Sequence, residues 1–347
     1  MNREKGTIAV LLILAYVLVS VFCRASLFAA ATEEERTAAL IEGAKKEGKV
    51  VWYTTLTTIE ADTMGKKFHD KYPFITTEVW RSGAEKVFIK IQGEAQAKRN
   101  IFDAVMITAA EGELMKRKGL FAKYQSPQRK FYPEGLKDSE GYWTDLYMNL
   151  NVIAYNTKLV SPRDVPKSYD DLLSPRWKNK MAMDTKAYEW FANMLKSKGE
   201  RKGLEYMKKL GDQNILFRTG RTLNAQMVAA GEVEIGIACY NQRIEEMKVK
   251  GAPVNWVGLD PVIPEIHPLA VSANAPHPNA ARLLVDYLLS KEGQTIIASF
   301  YRIPSRTDVD PIIPNLKKGF KIMSPSFEMV DNYERYTKLY RELLMKK

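Results

Sequence analysis

Cysteine and histidine are scarce in this chain of 347 residues, which contains two cysteines and three histidines. Cys23 lies in the N-terminal apolar segment, so cleavage of that segment would leave Cys239 alone and no intramolecular disulfide could form. Without a CxxC pair there is no thiolate zinc site. His69, His267 and His277 are too far apart for a local metal motif. We therefore predict a fold stabilised by its core, with no metal and no cofactor.

Motifs of catalysis and of nucleic-acid binding are also missing. The sequence has no nucleophile elbow, HExxH motif, phosphate loop or dinucleotide fingerprint. The net charge is +11, yet the basic residues are scattered and form no arginine-rich arm. We predict neither an enzyme nor a nucleic-acid-binding protein, and the positive charge favours anionic ligands.

An N-terminal apolar run, Ile8–Phe22, follows the basic residues Arg3 and Lys5 and precedes small residues that end at Ala31. This order predicts a signal peptide over residues 1–31, cleaved near Ala31. The run is shorter than the roughly 20 residues of a bilayer span, although an uncleaved anchor is the alternative. Phe22 before Cys23 argues against a lipid anchor. We therefore predict a periplasmic protein.

Strand-like and helix-like segments then alternate, which predicts a parallel sheet with helices on its faces. The β-prone stretch Tyr142–Tyr155 is long enough to cross between two domains. A second alternating series starts at Met181, and the proline-rich Asp260–Ala270 would cross back. We predict an α/β fold of two lobes, each a mixed sheet flanked by helices, joined by these two crossing segments. The predicted parts are lobe 1 at 32–143 plus 266–310, lobe 2 at 149–262, and a C-terminal helical segment at 311–347, with its helix Phe327–Met345, assigned to neither lobe.

Ligands of open α/β sheets bind beyond the carboxyl ends of the strands, where helices begin. Arg221 is the strongest candidate there, because a guanidinium at a helix start can grip a carboxylate or phosphate. The alternatives are a solvated turn for Arg221, a helix cap for the first threonines, and either a cation-binding or a capping role for Asp184. Trp190 is interpreted as a core residue. The predicted ligand-binding residues are Thr54, Thr57, Arg81, Thr108, Thr185, Arg221 and Tyr240.

Several segments occur in the order found in one known family. They are Lys49–Thr54 (KVVWYT), Phe102–Thr108 (FDAVMIT), Pro175–Lys180 (PRWKNK) and Gly231–Tyr240 (GEVEIGIACY). On these segments, the chain resembles bacterial ABC-transporter extracellular solute-binding proteins with the type-2 periplasmic binding fold, in the group that includes ferric-ion-binding proteins. The resemblance covers roughly residues 34–310. It implies a periplasmic receptor, expected to be monomeric, that closes on a small ligand and delivers it to an ABC permease in the inner membrane.

The ligand implied by this resemblance is not fixed. Ferric-ion-binding relatives use two adjacent tyrosines, which fall near Tyr240 and Asn241, so only one tyrosine stands here. Their first-lobe histidine and acid fall near Thr57 and Thr108. Ferric iron favours anionic oxygen donors, so we predict an anionic organic ligand instead. A ferric-iron receptor of the same family, and an exported sensor or enzyme on the same fold, are the alternatives.

Overall fold

The computed structural model describes residues 33–345. The predicted signal peptide, residues 1–31 with its cleavage near Ala31, lies outside the described residues. Within residues 33–345, no helix combines the length and the apolar content that crossing a membrane requires.

The first part of the chain forms the alternation that its sequence pattern predicts. Residues 33–47 are helical (α1). The next elements are β1 (Lys49–Thr54), α2 (Thr58–Lys71), β2 (Thr76–Arg81), α3 (Ala84–Gln96), β3 (Ala104–Met106) and α4 (Ala109–Arg117). β1 pairs in parallel with β2 on one side and with β3 on the other, so the predicted parallel arrangement is confirmed.

A long strand and a second alternating series follow. These elements are β4 (Thr144–Asn156), β5 (Met181–Asp184), α5 (Tyr188–Lys198), α6 (Glu200–Gly211), β6 (Leu216–Arg218), α7 (Arg221–Ala230), β7 (Ile235–Tyr240), α8 (Asn241–Val249) and β8 (Val254–Val257). β5 pairs in parallel with both β6 and β7. The chain then returns through β9 (Ile263–Val271), α9 (Pro278–Leu289), α10 (Lys291–Ser299), β10 (Ile303–Pro304), α11 (Glu328–Asp331) and α12 (Tyr333–Leu344).

The two predicted crossing segments are the central strands β4 and β9, which pair with each other in antiparallel fashion. The described residues form one ten-stranded sheet, in which the order β2-β1-β3-β9-β4-β7-β5-β6 places β4 and β9 between two parallel halves. We call β2-β1-β3 with its helices the first half and β7-β5-β6 with its helices the second half. The pairing of β4 with β9 shifts register between Asp145 and Met148.

Both faces of the first half are covered, which explains the continuous apolar sequence of β1. Val50 and Trp52 join the core shared with α2 and α9, whereas Val51 and Tyr53 join the core beneath α3 and α4. In the second half, Trp190 is fully buried, which confirms it as a core residue.

The C-terminal segment differs from its prediction. A single helix over Phe327–Met345 is wrong, because the backbone leaves helical geometry at Asn332 (φ −130°, ψ 32°) and separates α11 from α12. The break changes the direction of the chain, so α11 contacts α4 and α5 while α12 packs on α5 and α6. α12 therefore belongs to the second half, where Gly211 lets the backbone of Leu343 approach closely.

Candidate functional site

A cavity of about 560 Å³ lies between the two halves of the sheet. It is bordered by the ends of β2, β5 and β7 and by the first turns of α3, α4, α5 and α7. This is the edge where an open α/β sheet binds ligands. The cavity is therefore the candidate ligand-binding site.

Four of the predicted ligand-binding residues line this cavity within the described part of the chain: Arg81, Thr108, Arg221 and Tyr240. Arg81 ends β2, and its Nε donates to the backbone oxygen of Leu56 at 2.7 Å, which fixes the direction of the side chain. Thr108 precedes α4. The two halves thus each contribute two of these residues.

The other three predicted residues do not border the cavity in the described structure. Thr54 is fully buried, and its Oγ1 accepts a hydrogen bond from the backbone of Leu56. Thr57 caps α2 by accepting from the backbone of Glu60, which is the structural alternative. The Thr185 hydroxyl bonds that of Thr219 at 2.8 Å. Ligand contact by these threonines stays a prediction.

Arg221 and Tyr240 are held together by an acid that sequence reasoning missed. Glu265 of β9 accepts hydrogen bonds from Nη1 of Arg221 and from the hydroxyl of Tyr240, and Arg221 Nη1 lies 2.7 Å from that hydroxyl. Burial would raise the pKa of Glu265, but the charge of Arg221 and the hydrogen bonds from Tyr240 and Arg221 act together against it, and the pKa lies below its usual range. Glu265 therefore neutralises the positive charge of Arg221 without any solute present.

His267 is a neutral member of the same cluster. Its ring stacks on Tyr147 with centroids 4.1 Å apart, and its Nε2 lies 3.6 Å from Glu265. Burial lowers the pKa of His267 to about 4, although Glu265 opposes that change. The imidazole accordingly adds no charge to the site at neutral pH.

Two further acids face the cavity, Glu111 in the first turn of α4 and Glu189 in that of α5. Burial raises the pKa of Glu111, partly opposed by a hydrogen bond from the Thr108 hydroxyl. Burial also raises the pKa of Glu189 well above its usual range, and the charge of Glu265 adds to the rise. Among the described residues no side-chain hydrogen bond stabilises the charged form of Glu189. Within residues 33–345 neither carboxyl forms a salt bridge like that of Glu265 with Arg221, although the charge of Arg221 partly opposes the rise at Glu189.

Four helix starts at this cavity lack, within residues 33–345, the side-chain hydrogen bond that normally caps a helix. They are the starts of α3, α4, α5 and α7; at the start of α8, the Asn241 side chain accepts from the backbone N–H of Gln242. Thr57 caps α2 and Ser290 caps α10, both away from the cavity, although α6, which also starts away from it, has no side-chain cap either. The first backbone N–H groups of a helix need acceptors and carry partial positive charge. The cavity therefore offers donors suited to an anionic group.

A buried ion-pair network joins the two halves beside the site. Glu60 of α2 receives two hydrogen bonds from Arg302 and one from Arg243 of α8. Arg302 also lies over the ring of Tyr147 at 4.3 Å and donates to Asn149. Glu60 thus contacts an arginine of the second half from a helix of the first.

In the described residues, no group of three or more His, Cys, Asp or Glu side chains is arranged to hold a metal ion. Tyr240 is followed by Asn241 and Gln242, whose buried amides bond the backbone of Leu316 and the side chain of Asn149. These neutral amides occupy the positions after the single tyrosine and provide no anionic oxygen.

Comparison with known proteins identifies the class. The sequence pattern described as bacterial extracellular solute-binding protein matches residues 102–332, which is about two thirds of the chain. The chain belongs to this family. Its members and the solved structures below are binding proteins rather than enzymes, so the chain is a ligand-binding receptor of the kind that serves ABC importers in the periplasm.

Individual relatives and solved structures agree with this class. An uncharacterized protein of Haemophilus influenzae is 26% identical over 277 residues, which cover 73% of this chain and 76% of the relative. A putative 2-aminoethylphosphonate-binding periplasmic protein of Salmonella typhimurium is 26% identical over 188 residues, covering 51% of this chain and 55% of the relative. Iron-bound HitA from Pseudomonas aeruginosa superposes with a TM-score of 0.75 at 20% identity, covering 85% of this chain and 99% of HitA. The fold predicted from the sequence is confirmed.

Proposed function

We propose that the cavity binds a small organic solute that carries both an anionic group, such as a phosphonate or carboxylate, and an ammonium group. The protein would deliver this solute to an ABC permease by closing two lobes, 32–143 plus 266–310 and 149–262, about the crossing strands. The observation that carries this proposal is the meeting, in one cavity, of uncapped helix starts with two carboxyls that form no salt bridge within the described residues.

The anionic end of the solute is assigned to the first half. The starts of α3 and α4 supply backbone donors there, and Arg81 supplies a guanidinium. Arg221 contributes less than its sequence suggested, since Glu265 already neutralises it. Arg81 is consequently the arginine proposed to contact the anion directly.

The ammonium end is assigned to Glu189 and Glu111. An ammonium placed between them would stabilise both carboxylates in their charged form and reverse the rise in their pKa values. A purely anionic solute would meet these acids without compensation. The Salmonella relative is named as a putative 2-aminoethylphosphonate-binding protein, and that compound carries both charges, which supports this solute class.

Calorimetric titration of residues 33–347 with 2-aminoethylphosphonate, ethylphosphonate and ethanolamine tests the proposal. We expect 2-aminoethylphosphonate to bind at least tenfold more tightly than ethylphosphonate or ethanolamine, a difference in binding free energy of about 1.4 kcal/mol or more. Glu189→Gln should remove that advantage over ethylphosphonate, whereas the exposed Glu205→Gln should change nothing. Equal affinity for ethylphosphonate and 2-aminoethylphosphonate would refute the ammonium assignment, and tight binding of ferric citrate instead would favour the iron alternative.

A further inference from the structure

The segment from Phe327 to Arg341, here called the C-terminal strap, contacts both halves of the sheet. At its start, Phe327 meets Trp143 edge-on with ring centroids 5.6 Å apart. α11 then lies against α4 of the first half and α5 of the second. Across this contact, Arg117 of α4 forms an ion pair with Asp331 of α11. The strap therefore bridges the two halves at a point separate from the crossing strands.

The strap also borders the ligand cavity, through Met329, Tyr333 and Arg341. The Tyr333 ring meets the Tyr188 ring edge-on with centroids 6.3 Å apart, and Nη2 of the Arg341 guanidinium donates to the Tyr188 hydroxyl at 3.2 Å. Tyr333 is 38% exposed, so part of its ring is available to a solute. The family pattern ends at residue 332, one position before Tyr333. Tyr333 and Arg341 therefore lie beyond the shared pattern, whereas Met329 lies within it.

The far end of the strap is fixed to the second half. Tyr340 is fully buried, and its hydroxyl donates to the backbone oxygen of Asp184 at the end of β5. Arg335 forms an ion pair with Glu200 on the outer side of α6. Separation of the halves would thus leave α12 in place and would have to break the contacts that Phe327 and Asp331 make with the first half.

We propose that the C-terminal strap is a wall of the ligand site and a latch for the closed arrangement, with Tyr333 contacting the bound solute. Its Phe327 and Asp331 contacts hold the first half against the second. The identity of the solute rests on the function proposed above, but the latch does not depend on it.

Binding of 2-aminoethylphosphonate tests the wall. We expect Tyr333→Ala to weaken binding at least fivefold at an unchanged melting temperature, and Tyr333→Phe to retain more than half the affinity. Arg335→Gln, on the same helix but outside the cavity, is the matched control and should bind as the wild type does. If Tyr333→Ala binds with wild-type affinity, the proposal that the strap forms a wall of the ligand site is wrong. If the wild type does not bind 2-aminoethylphosphonate, the proposed solute class is wrong, and amide hydrogen exchange, described next, tests the latch separately.

Amide hydrogen exchange tests the latch without any ligand. We expect the double variant Phe327→Ala with Asp331→Asn to exchange at least threefold faster across α11 and α4, with α12 unchanged. Arg335→Gln should leave α11 and α4 as they are in the wild type. Unchanged exchange of α11 in the double variant would overturn the latch.

Discussion

Replacing Glu60 by Gln is expected to destabilise the protein by about 3 kcal/mol near neutral pH. The Glu60 side chain is buried, and burial alone would raise its pKa, yet Arg302 and Arg243 lower it from 4.5 to about 2. At about 1.4 kcal/mol per pKa unit, a shift of this size corresponds to roughly 3 kcal/mol. Removing one partner of a buried ion pair costs about 3–5 kcal/mol, so the two approaches agree.

The effect must depend on pH with a defined sign. The folded protein keeps Glu60 ionised to a lower pH than the unfolded chain does. Its contribution is therefore complete above the unfolded pKa of 4.5 and is lost as the pH falls toward about 2. The difference between wild type and Glu60→Gln should shrink from about 3 kcal/mol at pH 7 to about 1 kcal/mol at pH 3.

Urea unfolding followed by circular dichroism at these two pH values measures both free energies. Glu42→Gln is the matched control, because Glu42 makes an exposed ion pair with Lys45 and its loss should not change stability measurably. A Glu60→Gln difference below about 1 kcal/mol at pH 7, or one equally large at pH 3, would show that the buried network does not stabilise the fold as derived.

Two further predictions concern packing. Gly211→Ala should lower stability by about 1–3 kcal/mol or more, because the added Cβ would lie 1.9 Å from the backbone oxygen of Leu343. Gly93→Ala, in an open position of α3, should instead raise stability by up to about 1 kcal/mol. Differential scanning calorimetry compares the two variants. Burial raises the pKa of the Cys239 thiol to about 12, so iodoacetamide should not label it in folded residues 33–347 and should label it in urea; labelling of the folded protein at the unfolded rate would contradict the buried site.

The order of elements could be predicted because its signals are local. The strand β4 (Thr144–Asn156) lies within a residue or two of the predicted β-prone stretch Tyr142–Tyr155, because that stretch has a local apolar pattern. The C-terminal segment could not be predicted in this way. Its break at Asn332 accompanies contacts with α4 and α5, which are distant in sequence.

The candidate site was only partly predictable for a similar reason. Strand ends pointed to Arg81 and Arg221, but the pairing of Arg221 with Glu265 depends on the return of β9 beside β4. One signal was available: Glu265 and His267 interrupt the mostly apolar IPEIHPLAV sequence, and a buried acid requires a partner. Tyr333, more than ninety residues further along the chain than Arg221, carried no local signal.

The uncapped helix starts around the cavity have a consequence for the empty receptor. A missing side-chain cap lowers helix stability by up to about 1 kcal/mol, and by only a few tenths where glycine precedes the helix, as at α3 and α7, so together these starts leave this edge of the protein roughly 1–3 kcal/mol less stable than its sequence could have made it. A solute bound as proposed would place its anionic group at the starts of α3 and α4 and so act as their cap. Part of the heat resistance of the loaded receptor would then be helix stability that the bound solute supplies.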